Sequence, residues 1–277
     1  GNEILAKDIQ VNDKIKSHDG FLVAKTVTKF DTEIDLYDAI NVKDGNIYYT
    51  NDIISHNCSF LSSGDNVVDS KIIEKQEQDN VIDPVEKQLE QKLWIWKNPE
   101  IGHKYLMGVD ISRGDSEDFS CFTIIDFDEM EQVVEYKTKL PPDIFAEIVF
   151  KWAHKYTAFI VVDITGGMGV ATSRKLLELN YKSLFYDNIN STNVWEYDPK
   201  LSEKIPGINF NNKRSQIIST FEEQLRTGFI VRSERLMNEI NTFVFINGRP
   251  DHMKGTHDDS IMSLSIALYA GEISFTQ

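Results

Sequence analysis

The sequence has few cysteines, no long hydrophobic run and fewer basic than acidic residues. Two cysteines among 277 residues are too few for a disulfide framework or a cysteine-rich zinc site, which fits a reducing cytosol. The longest strongly apolar stretches, such as residues 158–162, are far shorter than the ~20 residues that cross a bilayer. No secretory signal peptide opens the chain. We therefore expect neither a membrane partner nor a secreted protein.

Acidic residues outnumber basic residues by 44 to 29, so the net charge is −15. Such a chain repels nucleic acid in general, which argues against a sequence-independent nucleic-acid coat. The charge is uneven, however, because residues 204–277 hold eight basic and eight acidic residues. Lys213 and Arg214 in this neutral part are candidate contacts to DNA phosphates, with a solvated helix face as the alternative.

The pattern of residues divides the chain into three parts. Residues 1–57 alternate short apolar runs with turn signals such as Asp19-Gly20, which predicts a small all-β domain. Residues 58–94 are the predicted linker, in which the polar and charged residues 63–92 predict one or two helical turns. Residues 95–277 alternate strand and helix patterns, which predicts an α/β fold with a mixed sheet flanked by helices. Its predicted strands cover residues 105–111, 121–127, 132–138, 158–164 and 229–231, and its predicted helices cover 143–156, 166–180, 213–227, 233–245 and 258–270.

Aspartates stand at the ends of these predicted elements. Asp110 and Asp163 each close an apolar strand, and Asp258 and Asp259 open the last helix. A carboxylate at the end of a buried strand is costly unless it is paired or binds a metal. Hard oxygen ligands suit Mg²⁺ or Mn²⁺, and two such ions ~3.5–4 Å apart activate a water and stabilise the leaving oxygen of a phosphodiester. We therefore expect these side chains to converge on two divalent ions.

Each aspartate also has a structural alternative. Asp258 and Asp259 are favoured residues at a helix N-terminus, Asp163 could cap the helix that follows it, and Asp110 could begin a surface turn. The joint order is more informative than any one member. A strand ending in Asp, hairpin strands, a second strand ending in Asp and a late helix with Asp is the order expected of an RNase H-like nuclease.

Three stretches carry a family resemblance: Met107-Gly-Val-Asp110-Ile-Ser-Arg-Gly-Asp115, Val161-Val-Asp163-Ile-Thr-Gly166 and Gly255-Thr-His257-Asp258-Asp259-Ser-Ile-Met-Ser-Leu264. With them, residues 105–270 resemble the nuclease domain of tailed-phage large terminases, the ATP-driven DNA-packaging motor proteins. The resemblance implies an RNase H-like fold and cleavage of double-stranded DNA. It further implies that Asp110, Asp163 and one or both of Asp258 and Asp259 hold the metal ions. Asp115, Asp118 and His257 are secondary candidates.

The same resemblance implies the phage portal and the small terminase subunit as partners, and the host cytoplasm during phage assembly as the place of action. Residues 58–69 resemble the end of the terminase ATPase region, but no Gly-x-x-x-x-Gly-Lys-Ser/Thr phosphate loop occurs in the sequence. We therefore expect no ATPase centre in this chain. Because the first residue is Gly1, we expect the chain either to begin inside a longer precursor or to be a partial reading frame, and any motor activity then needs ATPase residues upstream of Gly1. An alternative function is an RNase H-like module that docks DNA or the portal without cutting.

The tripeptide His56-Asn57-Cys58 combines three groups that can break and remake a peptide bond. An Asn side-chain amide can attack its own carbonyl, a neighbouring His can assist, and a following Cys offers a thiolate nucleophile. Chance alone also produces this tripeptide.

Residues 4–20, 36–42 and 47–57 resemble the C-terminal part of an intein, a Hint-like fold. The resemblance implies that Asn57 cyclises, that His56 and Asp38 assist, and that Cys58 is the first nucleophile after the intein. Asn46 stands where many inteins have a His, and the opening Cys and the Thr-x-x-His block are absent. Splicing then needs a separately supplied N-terminal intein portion, whereas cleavage at Asn57–Cys58 does not. A third possible function is therefore an autoprocessing element.

Overall fold

The computed structural model describes residues 10–11, 13–17, 20–25, 47–50, 53–56, 66–114, 118–187 and 204–275. The chain divides into two compact units, Gly1–Leu61 and Ser62–Gln277. The predicted domain boundary after residue 57 lies outside the described residues. Within the described ranges, no helix combines the length and the apolar character needed to cross a membrane.

The first unit contains four β strands in the order β2-β1-β4-β3, with antiparallel pairing throughout. The described residues of this unit include no helix. His56 ends the last of these strands, whereas Asp38, Asn57 and Cys58 lie outside the described residues, so the splicing site stays a prediction. The four strands are β1 (Lys14–Ser17), β2 (Gly20–Val23), β3 (Ile47–Thr50) and β4 (Ile53–His56).

The second unit is built on a six-stranded mixed sheet in the order β10-β7-β8-β9-β6-β5. The pairing of β10 with β7 is parallel, and the other four pairings are antiparallel. The neighbouring strands β10, β7 and β8 are buried on both faces, which explains their nearly continuous apolar sequences. The strands are β5 (Glu86–Gln88), β6 (Leu93–Ile95), β7 (Tyr105–Asp110), β8 (Ser120–Asp126), β9 (Glu131–Thr138) and β10 (Phe159–Val162).

Helices cover both faces of this sheet and form two hydrophobic cores. Successive side chains of a strand point to opposite faces, so Leu106 of β7 joins one core while Met107 and Val109 join the other. The predicted mixed sheet flanked by helices is therefore confirmed. The helices on the Leu106 face are α1 (Ser70–Asp79), α4 (Phe210–Thr227), α5 (Glu234–Asn241) and α6 (Asp259–Phe275), and those on the opposite face are α2 (Pro142–Tyr156) and α3 (Met168–Glu178).

Three local predictions are wrong. The region of residues 63–92 contains the ten-residue helix α1 and strand β5 instead of one or two helical turns. The helix predicted over residues 233–245 ends at Asn241, and an antiparallel hairpin follows, formed by β11 (Phe243–Ile246) and β12 (Arg249–His252). The strand predicted over residues 229–231 is a single bridge between Glu131 and Ile230.

Candidate metal centre

Two of the predicted carboxylates lie at the same edge of the sheet. β7 ends at Asp110, and β10 ends one residue before Asp163. The two strands are parallel neighbours with Val162 opposite Val109, and the Asp163 N–H extends the ladder by donating to the Val109 carbonyl at 2.9 Å. Because parallel strands end at one edge, Asp110 and Asp163 are neighbours in space.

A tight turn after β10 holds Asp163. The Thr165 N–H donates to Asp163 Oδ1 at 2.8 Å, and the Thr165 hydroxyl oxygen accepts from the N–H of Phe210 at the start of α4, at 2.9 Å. A Cβ atom added at Gly169 would lie 1.7 Å from the Asp163 carbonyl oxygen. Gly169 is thus explained by the close packing of α3 against the backbone of Asp163, whereas Gly166 and Gly167 of the turn itself have positive φ values of 70° and 91°, which favour glycine.

Helix α6 reaches the same edge because it lies directly on β7 and β8. A Cβ atom added at Gly108 of β7 would lie 1.8 Å from the backbone oxygen of Ser263 in α6. Ser263 Oγ also lies 2.9 Å from Thr123 Oγ1 of β8. This contact brings the first turn of α6, with Asp258 and Asp259, to the strand ends near Asp110.

The first turn of α6 is capped by a side chain from another helix. Glu239 of α5 accepts from the N–H groups of Ser260 at 2.8 Å and Ile261 at 3.1 Å, and from the Ser260 hydroxyl at 3.0 Å. The N-terminal N–H groups of a helix have no partner within the helix and need such acceptors. Glu239 therefore caps α6. Capping this helix was the structural role that the sequence offered as the alternative to metal binding for Asp258 and Asp259.

The four aspartates repel one another electrostatically. Burial raises the pKa of Asp110 well above its ordinary value, and the charges of Asp163, Asp259 and Asp258 raise it further. Burial also raises the pKa of Asp163, opposed by hydrogen bonds from Thr165, and the pKa of Asp258, opposed by the charge of His252. A divalent cation bound among these carboxylates would relieve the repulsion.

Asp259 is the most enclosed of the pair that begins α6. Its Oδ1 accepts from the Phe119 N–H at 3.3 Å. Its buried Oδ2 has no hydrogen bond from the described residues, although Lys137 Nζ lies 3.3 Å and His257 Nδ1 3.9 Å from it. Asp110, Asp163, Asp258 and Asp259 together present hard oxygen donors, the set that Mg²⁺ and Mn²⁺ prefer, so these residues fit such an ion. Their role as ligands stays a prediction.

Sequence reasoning missed four residues beside these aspartates. His252 of β12 lies 3.3 Å from Asp258, measured from Nδ1 to Oδ1, and Asp251 beside it completes a group whose ligand atoms lie within 4.8 Å of one another. Lys137 contacts both Glu239 and Asp259. Glu239 had a usable signal, because it is a charged residue on the buried face of α5. Nothing in the local sequence distinguishes Lys137 from other strand residues.

The remaining predicted residues are the two candidate DNA contacts and two secondary candidate aspartates. Lys213 forms an ion pair with Asp187 at 2.6 Å, and Arg214 donates to the Pro250 carbonyl at 2.7 Å. Both candidate DNA contacts thus already bind partners within the chain. Asp118 is exposed, and Asp115 lies outside the described residues.

No protein-family model matches this sequence, and the comparison with curated proteins also finds no match. Solved structures do resemble it. The crystal structure of the large terminase nuclease from thermophilic phage G20c with bound magnesium has a TM-score of 0.55 at 16% identity, over 74% of this chain and 97% of that chain. The same nuclease with bound cobalt has a TM-score of 0.54 at 17% identity, over 74% and 97%. At this level of identity the likeness concerns the fold. The chain therefore shares the mixed α/β fold of the large terminase nuclease of phage G20c.

Proposed function

We propose that the second unit is a metal-dependent endodeoxyribonuclease that hydrolyses phosphodiester bonds of double-stranded DNA within a phage DNA-packaging terminase. One observation carries the proposal: Asp110 and Asp163 close neighbouring parallel strands, and Asp258 and Asp259 at the start of α6 are near enough for their charges to act on the Asp110 carboxyl. The fold shared with the phage G20c nuclease supports it.

We further propose that the cofactors are two Mg²⁺ or Mn²⁺ ions. Asp110, Asp163 and Asp258 or Asp259 would hold these ions, because the first two close neighbouring parallel strands and the charges of the other two act on Asp110. When bound, such ions lower the pKa of a water and stabilise the charge that develops on the leaving oxygen. The G20c nuclease structures with bound magnesium and cobalt support a divalent-metal site in this fold.

The protein's own contribution is to hold the carboxylates rigidly. Asp163 is fixed by the turn through Thr165, and Asp259 by the Phe119 N–H. A catalytic group displaced by ~1 Å loses on the order of 100-fold in rate, so this rigidity matters for the reaction. We keep Lys213 and Arg214 as proposed contacts to DNA phosphates in addition to their intramolecular contacts. The portal, the small terminase subunit and an upstream ATPase portion are proposed partners in the host cytoplasm.

Two substitutions test the nuclease proposal. Asp110→Asn and Asp163→Asn should each abolish Mg²⁺- or Mn²⁺-dependent cutting of a plasmid while circular dichroism shows an intact fold. Asp128→Asn is a matched control, because Asp128 follows the opposite end of β8 and accepts from the Lys104 N–H at 2.7 Å. We expect the control to cut like the wild type. Cutting that survives in the Asp110 or Asp163 variant would remove that residue from the centre.

The rival function is a docking module that binds DNA or the portal without cutting. A calorimetric titration of the chain with Mn²⁺ separates the two functions. A nuclease of this kind should bind divalent ions at low-millimolar concentration or more tightly, whereas a docking module need not. A wild-type chain that binds DNA but neither binds Mn²⁺ nor cuts would establish the rival.

For the first unit we propose processing at Asn57–Cys58, as the resemblance to an intein implies. The observation that favours it is the hairpin of β3 and β4, which ends at His56 directly before this bond. Mass spectrometry of the incubated chain should show cleavage after Asn57, assisted by His56 and Asp38, with Cys58 as the new N-terminus. Asn57→Ala should prevent it, and an unchanged mass of the wild type both alone and with an N-terminal intein portion would refute the proposal.

A further inference from the structure

A buried ion pair lies behind the aspartates of α6. Lys137 of β9 contacts Glu239 of α5, and its Nζ also lies 3.3 Å from Asp259 Oδ2. The exposed fractions of the three side chains are 12%, 7% and 8%, so little water screens their charges. Such enclosed charges interact far more strongly than charges on a surface.

Glu239 fixes the direction in which α6 begins. Its carboxylate holds the N–H groups of Ser260 and Ile261, the two residues that follow Asp259. A negative charge at this end of a helix is also favoured by the helix dipole. Because Asp258 and Asp259 are the last residues before these capped N–H groups, a shift of the first turn would move both carboxylates.

Lys137 connects this cap to Asp259. Its ammonium stands between the carboxylates of Glu239 and Asp259, and its Nζ lies 4.7 Å from the ring centroid of Phe119, whose N–H donates to Asp259 Oδ1. Without Lys137, two buried carboxylates would face each other with no cation between them. Removing one partner of a buried ion pair leaves an uncompensated charge that the local structure must move to solvate.

We propose that Lys137 and Glu239 are positioning residues for the metal centre: the pair holds the first turn of α6 so that the Asp258 and Asp259 carboxylates face Asp110. This inference rests on the proposed nuclease function and assigns to both residues a role at a distance from the reacting atoms.

Mn²⁺ binding to the whole chain distinguishes positioning from simple charge. If the pair acted only through its charge, Lys137→Met would bind Mn²⁺ more tightly, because a cation is removed, and Glu239→Ala less tightly. Positioning predicts that both variants bind Mn²⁺ at least tenfold more weakly. It also predicts a tenfold or larger loss of cutting rate per folded molecule at saturating Mn²⁺, measured well below each variant's melting temperature. A purely structural role would lower that temperature without changing the rate per folded molecule.

Lys97→Met is the matched control. Lys97 also pairs with a buried glutamate of β9, Glu131, but at the opposite end of the strand, ~20 Å from Lys137. We expect its Mn²⁺ affinity and cutting rate to equal those of the wild type. If Glu239→Ala does not fold, Glu239→Gln keeps an acceptor for the α6 N–H groups and should show a smaller loss in the same direction.

The inference is overturned if the Lys137→Met protein binds Mn²⁺ as tightly as the wild type or more tightly. That result would leave the nuclease proposal standing. A wild-type chain that neither binds Mn²⁺ nor cuts DNA refutes the nuclease proposal, and the inference falls with it.

Discussion

Gly108→Ala should displace helix α6 from the sheet and with it the aspartates at its start. The added methyl carbon would lie 1.8 Å from the Ser263 carbonyl oxygen, about 1.6 Å short of the 3.4 Å of an ordinary van der Waals contact. The neighbour is helix backbone, which has no rotamer to change, so the helix must move. Overpacking of this kind costs about 1–3 kcal/mol of the free energy of unfolding. A displacement of more than ~1 Å at a catalytic group costs on the order of 100-fold in rate.

Urea unfolding and a plasmid-cutting assay measure the two effects. Gly271→Ala is the matched control, because Gly271 lies on the same helix ~18 Å from Asp259, and its added methyl would meet the Phe127 side chain, a group that can move. We expect this control to lose some stability and to keep its cutting rate per folded molecule. A Gly108→Ala protein with wild-type stability and cutting rate would refute the account of how α6 is placed.

Three further predictions concern charge. The hydrogen bond with Asp126 raises the pKa of His103, so the stabilisation of the fold by protonated His103 is complete below the ordinary pKa of 6.5 and is lost as the pH rises through the pKa of the folded protein. His103→Gln should therefore lower the free energy of unfolding more at pH 6 than at pH 9. Equal losses at the two pH values would contradict this. Mn²⁺ at 100 times its dissociation constant should stabilise the wild type by about 2.7 kcal/mol and not stabilise Asp110→Asn, as thermal unfolding would show. Lys213→Gln should reduce the slope of log affinity for DNA against log salt by about 0.9, and an unchanged slope would leave Lys213 as a partner of Asp187 alone.

The strands and aspartates of the candidate centre were predictable because their signals are local. Asp110 and Asp163 close apolar runs, and such runs are typical of strands buried on both faces. Since an aspartate at the end of a buried strand needs a partner or a metal, the residue type itself indicated chemistry. The order of these signals along the chain was sufficient to predict the mixed sheet flanked by helices.

The hairpin after α5 was missed although its turn signal is present. Asn247 and Gly248 both have positive φ, 52° and 76°, which is the conformation that favours Asn-Gly in two-residue hairpin turns. The predicted helix over residues 233–245 runs on into the apolar run from Phe243 to Ile246, which in the structure is strand β11.

Lys137 and Glu239 depend on tertiary packing. Their contact spans 102 residues of the chain, and although Glu239 stands out as a charged residue on the buried face of α5, no spacing pattern pairs it with Lys137. A long-range ion pair of this kind follows from how α5, α6 and β9 pack, which local periodicity does not determine.

The most direct test of the metal centre is the anomalous diffraction of a crystal soaked in Mn²⁺. The account predicts two Mn²⁺ peaks about 3.5–4 Å apart at the ends of β7 and β10, with oxygens of Asp110, Asp163 and Asp258 or Asp259 among their ligands. After a soak at saturating Mn²⁺, peaks that have no contact with Asp110 or Asp163, or the absence of any peak at this edge of the sheet, would contradict the account.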